Sequence, residues 1–165
     1  MKKKEELFPP HIETYKKLGE YVYVSDLHQG TERAENIRLA TFLAEKTKER
    51  VFILPIIQPS MKNSKELREK YFPIGVKENK NPDFYFRGRF VDGKNMTNAK
   101  LLDKEKSKRN IQNRLSFSQS DDILIEIPLI YPQTFIDEAI IGKLNSSKHK
   151  HIVYVKYGDE LFVYK

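Results

Sequence analysis

Two aspartates and a lysine near the middle of the chain have the types and spacing to do chemistry. They lie in Asn81-Pro82-Asp83-Phe84-Tyr85-Phe86-Arg87-Gly88-Arg89-Phe90-Val91-Asp92-Gly93-Lys94. A tight turn at Arg87-Gly88 predicts a hairpin that pairs Phe86 with Arg89, Tyr85 with Phe90, Phe84 with Val91 and Asp83 with Asp92. Directly opposed side chains share a face, with Cβ atoms about 4.5–5.5 Å apart. Lys94, two residues beyond Asp92, shares that face. A slip of one residue would scatter the group.

Opposed carboxylates repel each other, and Asp is a poor strand residue. A hard divalent cation, Mg²⁺ or Mn²⁺, would relieve the repulsion, taking one or two carboxylates plus waters and phosphate oxygens. Such an ion polarises a phosphoryl oxygen and lowers the pKa of a bound water. Lys94 would hold the attacking water or stabilise charge developing on the phosphate. The plainer alternative is a strand entry closed by Asp83 and a second turn at Asp92-Gly93, with Asp92 paired to Lys94 or Arg89 as surface charge.

A third carboxylate would complete a metal site of Asp83, Asp92 and Glu35. Glu35 stands four and seven residues before Leu39 and Phe42, which places it on the expected sheet-facing side of a helix. Glu32 is its rival. The four histidines, His11, His28, His149 and His151, show no metal-ligand spacing; His28, just ahead of that helix, is the one worth testing.

The net charge of +7 favours a polyanionic partner, nucleic acid first and a membrane surface second. Lys100, Lys104, Lys106, Lys108, Arg109 and Arg114 lie on one predicted helix, and Arg87 and Arg89 are near in the chain. Together they would make a salt-sensitive, weakly sequence-selective phosphate surface. A solvated helix, partly offset by Asp103 and Glu105, is the alternative. Tyr85 and Phe90 could stack on a base, but aromatics of this kind more often build a core.

The elements that must position these residues are legible as periodicities. A loose arm spans residues 1–20, with a short helix at 12–18. One domain, 21–165, then follows. It opens with a strand at Tyr21–Val24 and a helix from Glu32 to Lys46 capped by Thr31. A buried strand covers Val51–Leu54. Residues 56–80 are irregular, broken by Pro59, Pro73 and Gly75, with a helical turn or two at Lys65–Lys70. After the central hairpin come a polar helix (103–115), a strand (123–127), a helix (132–144) and a closing hairpin turning at Gly158-Asp159. The expected class is α/β (α+β), a central mixed sheet with flanking helices.

There is no cysteine, hence no disulfide and no thiolate metal site, which fits a reducing compartment. Lys2-Lys3-Lys4 is not followed by an apolar signal core, and no stretch approaches a membrane span. A cytoplasmic protein without a membrane partner is the expectation.

Pro82-Asp83 followed by Asp92-Gly93-Lys94 resembles the PD-(D/E)xK nuclease motif. The α-β-β-β-α-β order resembles the restriction-endonuclease-like core, here with an added C-terminal hairpin. The resemblance implies that Asp83 and Asp92 bind metal, that Lys94 serves catalysis and that Glu35 joins them. A further resemblance is to the C-terminal toxin domains of CdiA-type contact-dependent growth inhibition proteins, many of them tRNA nucleases. It runs through Glu35-Asn36-Ile37-Arg38-Leu39-Ala40, Ile53-Leu54-Pro55, the central motif, Gln119-Ser120-Asp121-Asp122 and Ile152-Val153-Tyr154-Val155, with a long insert between Pro55 and Asn81. It implies cleavage of RNA, tRNA among its candidates, and an inhibitor or immunity partner. Metal-independent RNase toxins of similar size leave metal dependence open. The expectation is therefore a phosphodiester hydrolase, in which Asp92→Ala abolishes cleavage and leaves the fold intact. The alternative is a non-catalytic nucleic-acid- or partner-binding protein of a mobile element.

Overall fold

The computed structural model describes residues 8–72, 76, 80–116, 120, 122–146 and 152–165. Pro73, Gly75, Gln119, Asp121, His149 and His151 lie outside the described residues. Among the described residues the strands pair in chain order as one mixed sheet of eight, β1 to β8, accompanied by four α-helices. The chain divides into two compact units, one up to Val91 and one from Asp92.

In the first unit a 3-10 turn at Ile12–Thr14 leads into β1, Tyr15–Lys17, where a helix was expected. Pairing decides the difference: β1 runs antiparallel to β2, Val22–Ser25, with Lys16 opposite Val24. The helix α1, Arg33–Thr47, then crosses to β3, Val51–Ile53, which lies parallel to β2. Leu39, Ala40, Leu43 and Ala44 are its buried apolar residues, a stripe at helical spacing. It starts one residue later than expected, with Glu32 at the N-cap in place of Thr31. Lys48 ends it in the left-handed conformation, its amide donating to the Ala44 carbonyl at 2.8 Å.

All three residues of β3 are buried, as in a strand covered on both faces. Phe52 is the hub of an aromatic cluster, with Tyr23 stacked at 5.0 Å and Phe8 and Tyr15 edge-on at 5.8 Å. Tyr85, Phe72 and Phe90 pack into the same cluster, so Tyr85 and Phe90 are core residues. The short helix α2, Ser64–Tyr71, contributes Tyr71 to it. The strands β4, Phe84–Phe86, and β5, Arg89–Asn95, form the expected hairpin. Positive φ at both Arg87 (53°) and Gly88 (76°) matches the strand-compatible two-residue turn.

The second unit begins within β5. Its other elements are α3 (Lys104–Ser116), β6 (Asp122–Glu126), α4 (Gln133–Ser146), β7 (Val153–Tyr157) and β8 (Glu160–Tyr164). The Met96 amide donates to the Glu126 carbonyl at 2.9 Å, joining the C-terminal ends of β5 and β6. β6 and β7 are parallel, with α4 as the crossover, and β7 and β8 are antiparallel. The core draws Ile111 and Leu115 from α3, Ile136 and Ile140 from α4, and Ile123, Ile125, Val153 and Val155 from the strands. Among the described residues no helix is long and apolar enough to cross a membrane.

The turn between β7 and β8 gives a test of this packing. Gly158 has φ +60°, and a Cβ there would meet Leu129 Cδ2 at 3.0 Å. Gly158→Ala is expected to cost about 1 kcal/mol in urea unfolding, whereas Gly19→Ala, with nothing within 4 Å, should not lower stability. Equal effects of the two substitutions would refute this account of the turn.

Candidate functional site

The central hairpin has the expected register at Phe86↔Arg89, Tyr85↔Phe90 and Phe84↔Val91. At Asp83 the ladder departs from it. The Asp83 amide donates to the Val91 carbonyl at 3.1 Å, one residue out of step with the register in which Phe84 faces Val91. This is the hydrogen-bond shift seen at a β-bulge. The Asp83 carbonyl accepts from the Leu54 amide at 2.9 Å, so the backbone there is held from both sides.

In the first unit the partly buried Asp83 carboxylate lies beside α1. Asn36 Nδ2 donates to Asp83 Oδ1 at 3.4 Å. The same Nδ2 stands 3.4 Å from His28 Nε2, and His28 Nδ1 lies 2.7 Å from the Leu54 carbonyl. His28 is wholly buried and Asn36 is nearly so. Burial pushes the imidazole below its usual pKa; the Arg33 guanidinium adds to this, while the Leu54 carbonyl opposes it.

Glu35 is placed differently from the expectation. Its carboxylate pairs with Arg38 at 2.6 Å, with the side chain 39% exposed. The expected stripe ran through Phe42, which is only half-buried with Lys46 over its ring. The buried stripe instead runs through Leu39, Ala40, Leu43 and Ala44. Asn36 falls three, four, seven and eight residues before these positions, so it, and not Glu35, faces inward. That spacing of Asn36 to all four buried residues is present in the sequence.

In the second unit Asp92 is buried on β5, and Lys94 Nζ lies 3.0 Å from its Oδ2. The side chains are 2% and 17% exposed, respectively, so this is not surface charge. Removing one partner of such a pair leaves the other charge buried, typically at a cost of about 3–5 kcal/mol. Asp92→Ala is therefore not expected to be structurally silent, contrary to the sequence expectation.

The basic residues are engaged to differing degrees. Lys104 and Lys108 both bind Glu138 of α4, at 3.0 and 3.2 Å. Their hydrogen bonds hold the Glu138 carboxyl below its usual pKa, and Glu138 holds the Lys108 ammonium above its own. A surface offered to phosphate through these two lysines would have to compete with that pairing. Lys100 and Arg109 are exposed, and Arg89 is half-buried. Arg87 stacks on Phe86, 4.9 Å from the ring centroid, and binds Glu49 through Nε at 2.9 Å.

Among the described residues no group of three or more His, Asp or Glu side chains is arranged to hold a metal ion. No family model, curated protein or solved structure gives a significant match to the chain.

The neutral His28 has a measurable consequence. Its folded pKa is depressed, so between the folded and unfolded pKa values the unfolded chain binds more protons. Its contribution to stability is present above the unfolded pKa and is lost as pH falls through the folded one. Thermal stability is expected to drop as pH falls below about 6.5, and less so in His28→Gln. Parallel pH profiles for the two proteins would remove His28 as the source.

Proposed function

We propose that the chain is a metal-dependent phosphodiester hydrolase acting on RNA, with Asp92 and Lys94 as its chemical pair. The observation that carries this reading is the buried carboxylate with an ammonium at 3.0 Å, two residues apart on one strand. Burying both charges costs several kcal/mol per ion before their attraction offsets it, and two apolar residues would avoid that cost. A strand that keeps the pair has a reason beyond packing.

The donor set fits Mg²⁺ or Mn²⁺ in the sparse manner those ions accept, a carboxylate or two completed by waters and phosphate oxygens. Asp92 would serve as a ligand, and Asp83 enters the set through the sequence resemblance. Glu35, given to Arg38, is the weakest member of the expected set. Bound there, the ion would polarise a phosphoryl oxygen and acidify a water. Lys94 would present positive charge to the phosphate as it is attacked. RNA, with tRNA as the first substrate to try, an inhibitor protein and a toxin role rest on the sequence resemblance. The exposed cations Lys100 and Arg109 are available to phosphates.

The test uses the full chain with total RNA and with plasmid DNA, with and without Mg²⁺ or Mn²⁺. RNA cleavage that chelator abolishes is expected. The paired replacement Asp92→Asn with Lys94→Met removes both charges at similar volume, so it should remain folded by circular dichroism. Its cleavage rate should fall about 100-fold or more. A folded paired variant that cuts RNA at the native rate would sink the proposal. Salt-dependent RNA binding with no cleavage and no metal requirement would favour the binding-protein alternative.

A further inference from the structure

The buried hydrogen-bond chain in the first unit has a direction fixed at one end. The Leu54 carbonyl oxygen can only accept, so His28 Nδ1, 2.7 Å away, carries the proton. Burial keeps the imidazole neutral, which leaves Nε2 as a lone-pair acceptor. The group 3.4 Å from that lone pair must then be the Asn36 NH₂ and not its carbonyl oxygen. An NH₂ has two hydrogens, and the second points to Asp83 Oδ1, also at 3.4 Å.

The ring is itself held. The His28 amide donates to the Ser25 carbonyl at 3.0 Å, and Arg33 donates to the His28 carbonyl at 2.7 Å. Asn36 is anchored in the first turns of α1 by its amide, 2.9 Å from the Glu32 carbonyl. All of these residues stand where the C-terminal ends of β2 and β3 meet the start of β4. Open α/β sheets commonly place ligands at that end.

We propose that Asn36 is a positioning residue: His28 fixes its amide so that it presents an N–H, never an oxygen, to Asp83. A flipped amide would set an oxygen against the Asp83 carboxylate and repel it. The relay holds the Asp83 carboxylate in one rotamer. The catalytic consequence rests on the reading of Asp83 as a metal ligand given above; the relay itself does not.

The test therefore has two arms. In the first, ¹⁵N imidazole NMR on the full chain should find His28 protonated on Nδ1 and bare on Nε2. The Asn36 side-chain NH₂ should exchange slowly, and one of its two proton signals should move in Asp83→Ala. An Nε2-protonated His28, or an Asn36 NH₂ indifferent to Asp83, overturns the relay whatever the chain does to RNA.

In the second arm, Asn36→Leu keeps the branched heavy-atom shape but has no side-chain N–H. Its kcat for RNA should fall about 10–100-fold with KM unchanged, in a chain that is still folded by circular dichroism but melts at a lower temperature because His28 Nε2 and Asp83 lose their donor. Native kcat in a folded Asn36→Leu overturns the positioning role, because filling space would then be enough. If the native chain cleaves nothing under either metal, the hydrolase reading fails, and the NMR arm still decides the relay.

Discussion

A carboxylate withdrawn from water needs a cation or a set of donors, because the desolvation it suffers is otherwise uncompensated. Much of the polar architecture here answers that demand. Asp92 meets it with Lys94. Glu126 meets it with Lys156 at 3.3 Å, its register partner on the neighbouring strand, and Lys156 also donates to the Gly158 carbonyl at 2.6 Å. Asp122 meets it with the Ile152 amide at 3.1 Å, which pins the entry to β7. Asp83 takes an N–H from Asn36.

These solutions differ in what they leave open. Glu126 and Lys156 face each other across two parallel strands, and the lysine also serves the turn that follows it, which is a complete structural account. Asp92 and Lys94 pair within one strand, two residues apart. In the first unit the demand is met by a neutral relay, in which a single backbone carbonyl sets the polarity of an imidazole and an amide in turn.

The overall charge of +7 says less about ligand binding than it promises. Lys104 and Lys108 are spent on Glu138, and Arg87 on Glu49. These pairs are reached by solvent, so a polyanion could displace them. An arriving phosphate would still have to exchange partners with these carboxylates. Charge counting cannot see this, because it does not know which helix faces which.

Local periodicity by itself determined the four helices, the central and C-terminal hairpins with their turns, and the apolar strands. Arg87-Gly88 and Gly158-Asp159 need conformations that few other residue pairs supply, and the stripes on α1 and α4 repeat too regularly to be loops. Those signals act over a few residues, and tertiary contacts did not overrule them. The N-terminal segment went the other way. Tyr15–Lys17 became a strand because β2 offered an unpaired edge, which no local pattern reveals. The single-residue choices were likewise tertiary. Turning α1 by one residue, about 100°, exchanges Glu35 for Asn36 on the buried face, and a bulge at Asp83 shifts the hairpin ladder by one. A sequence lists the acids and bases that could do chemistry. Only packing, which charges for each polar group that it buries, decides which of them are turned inward and what must stand beside them.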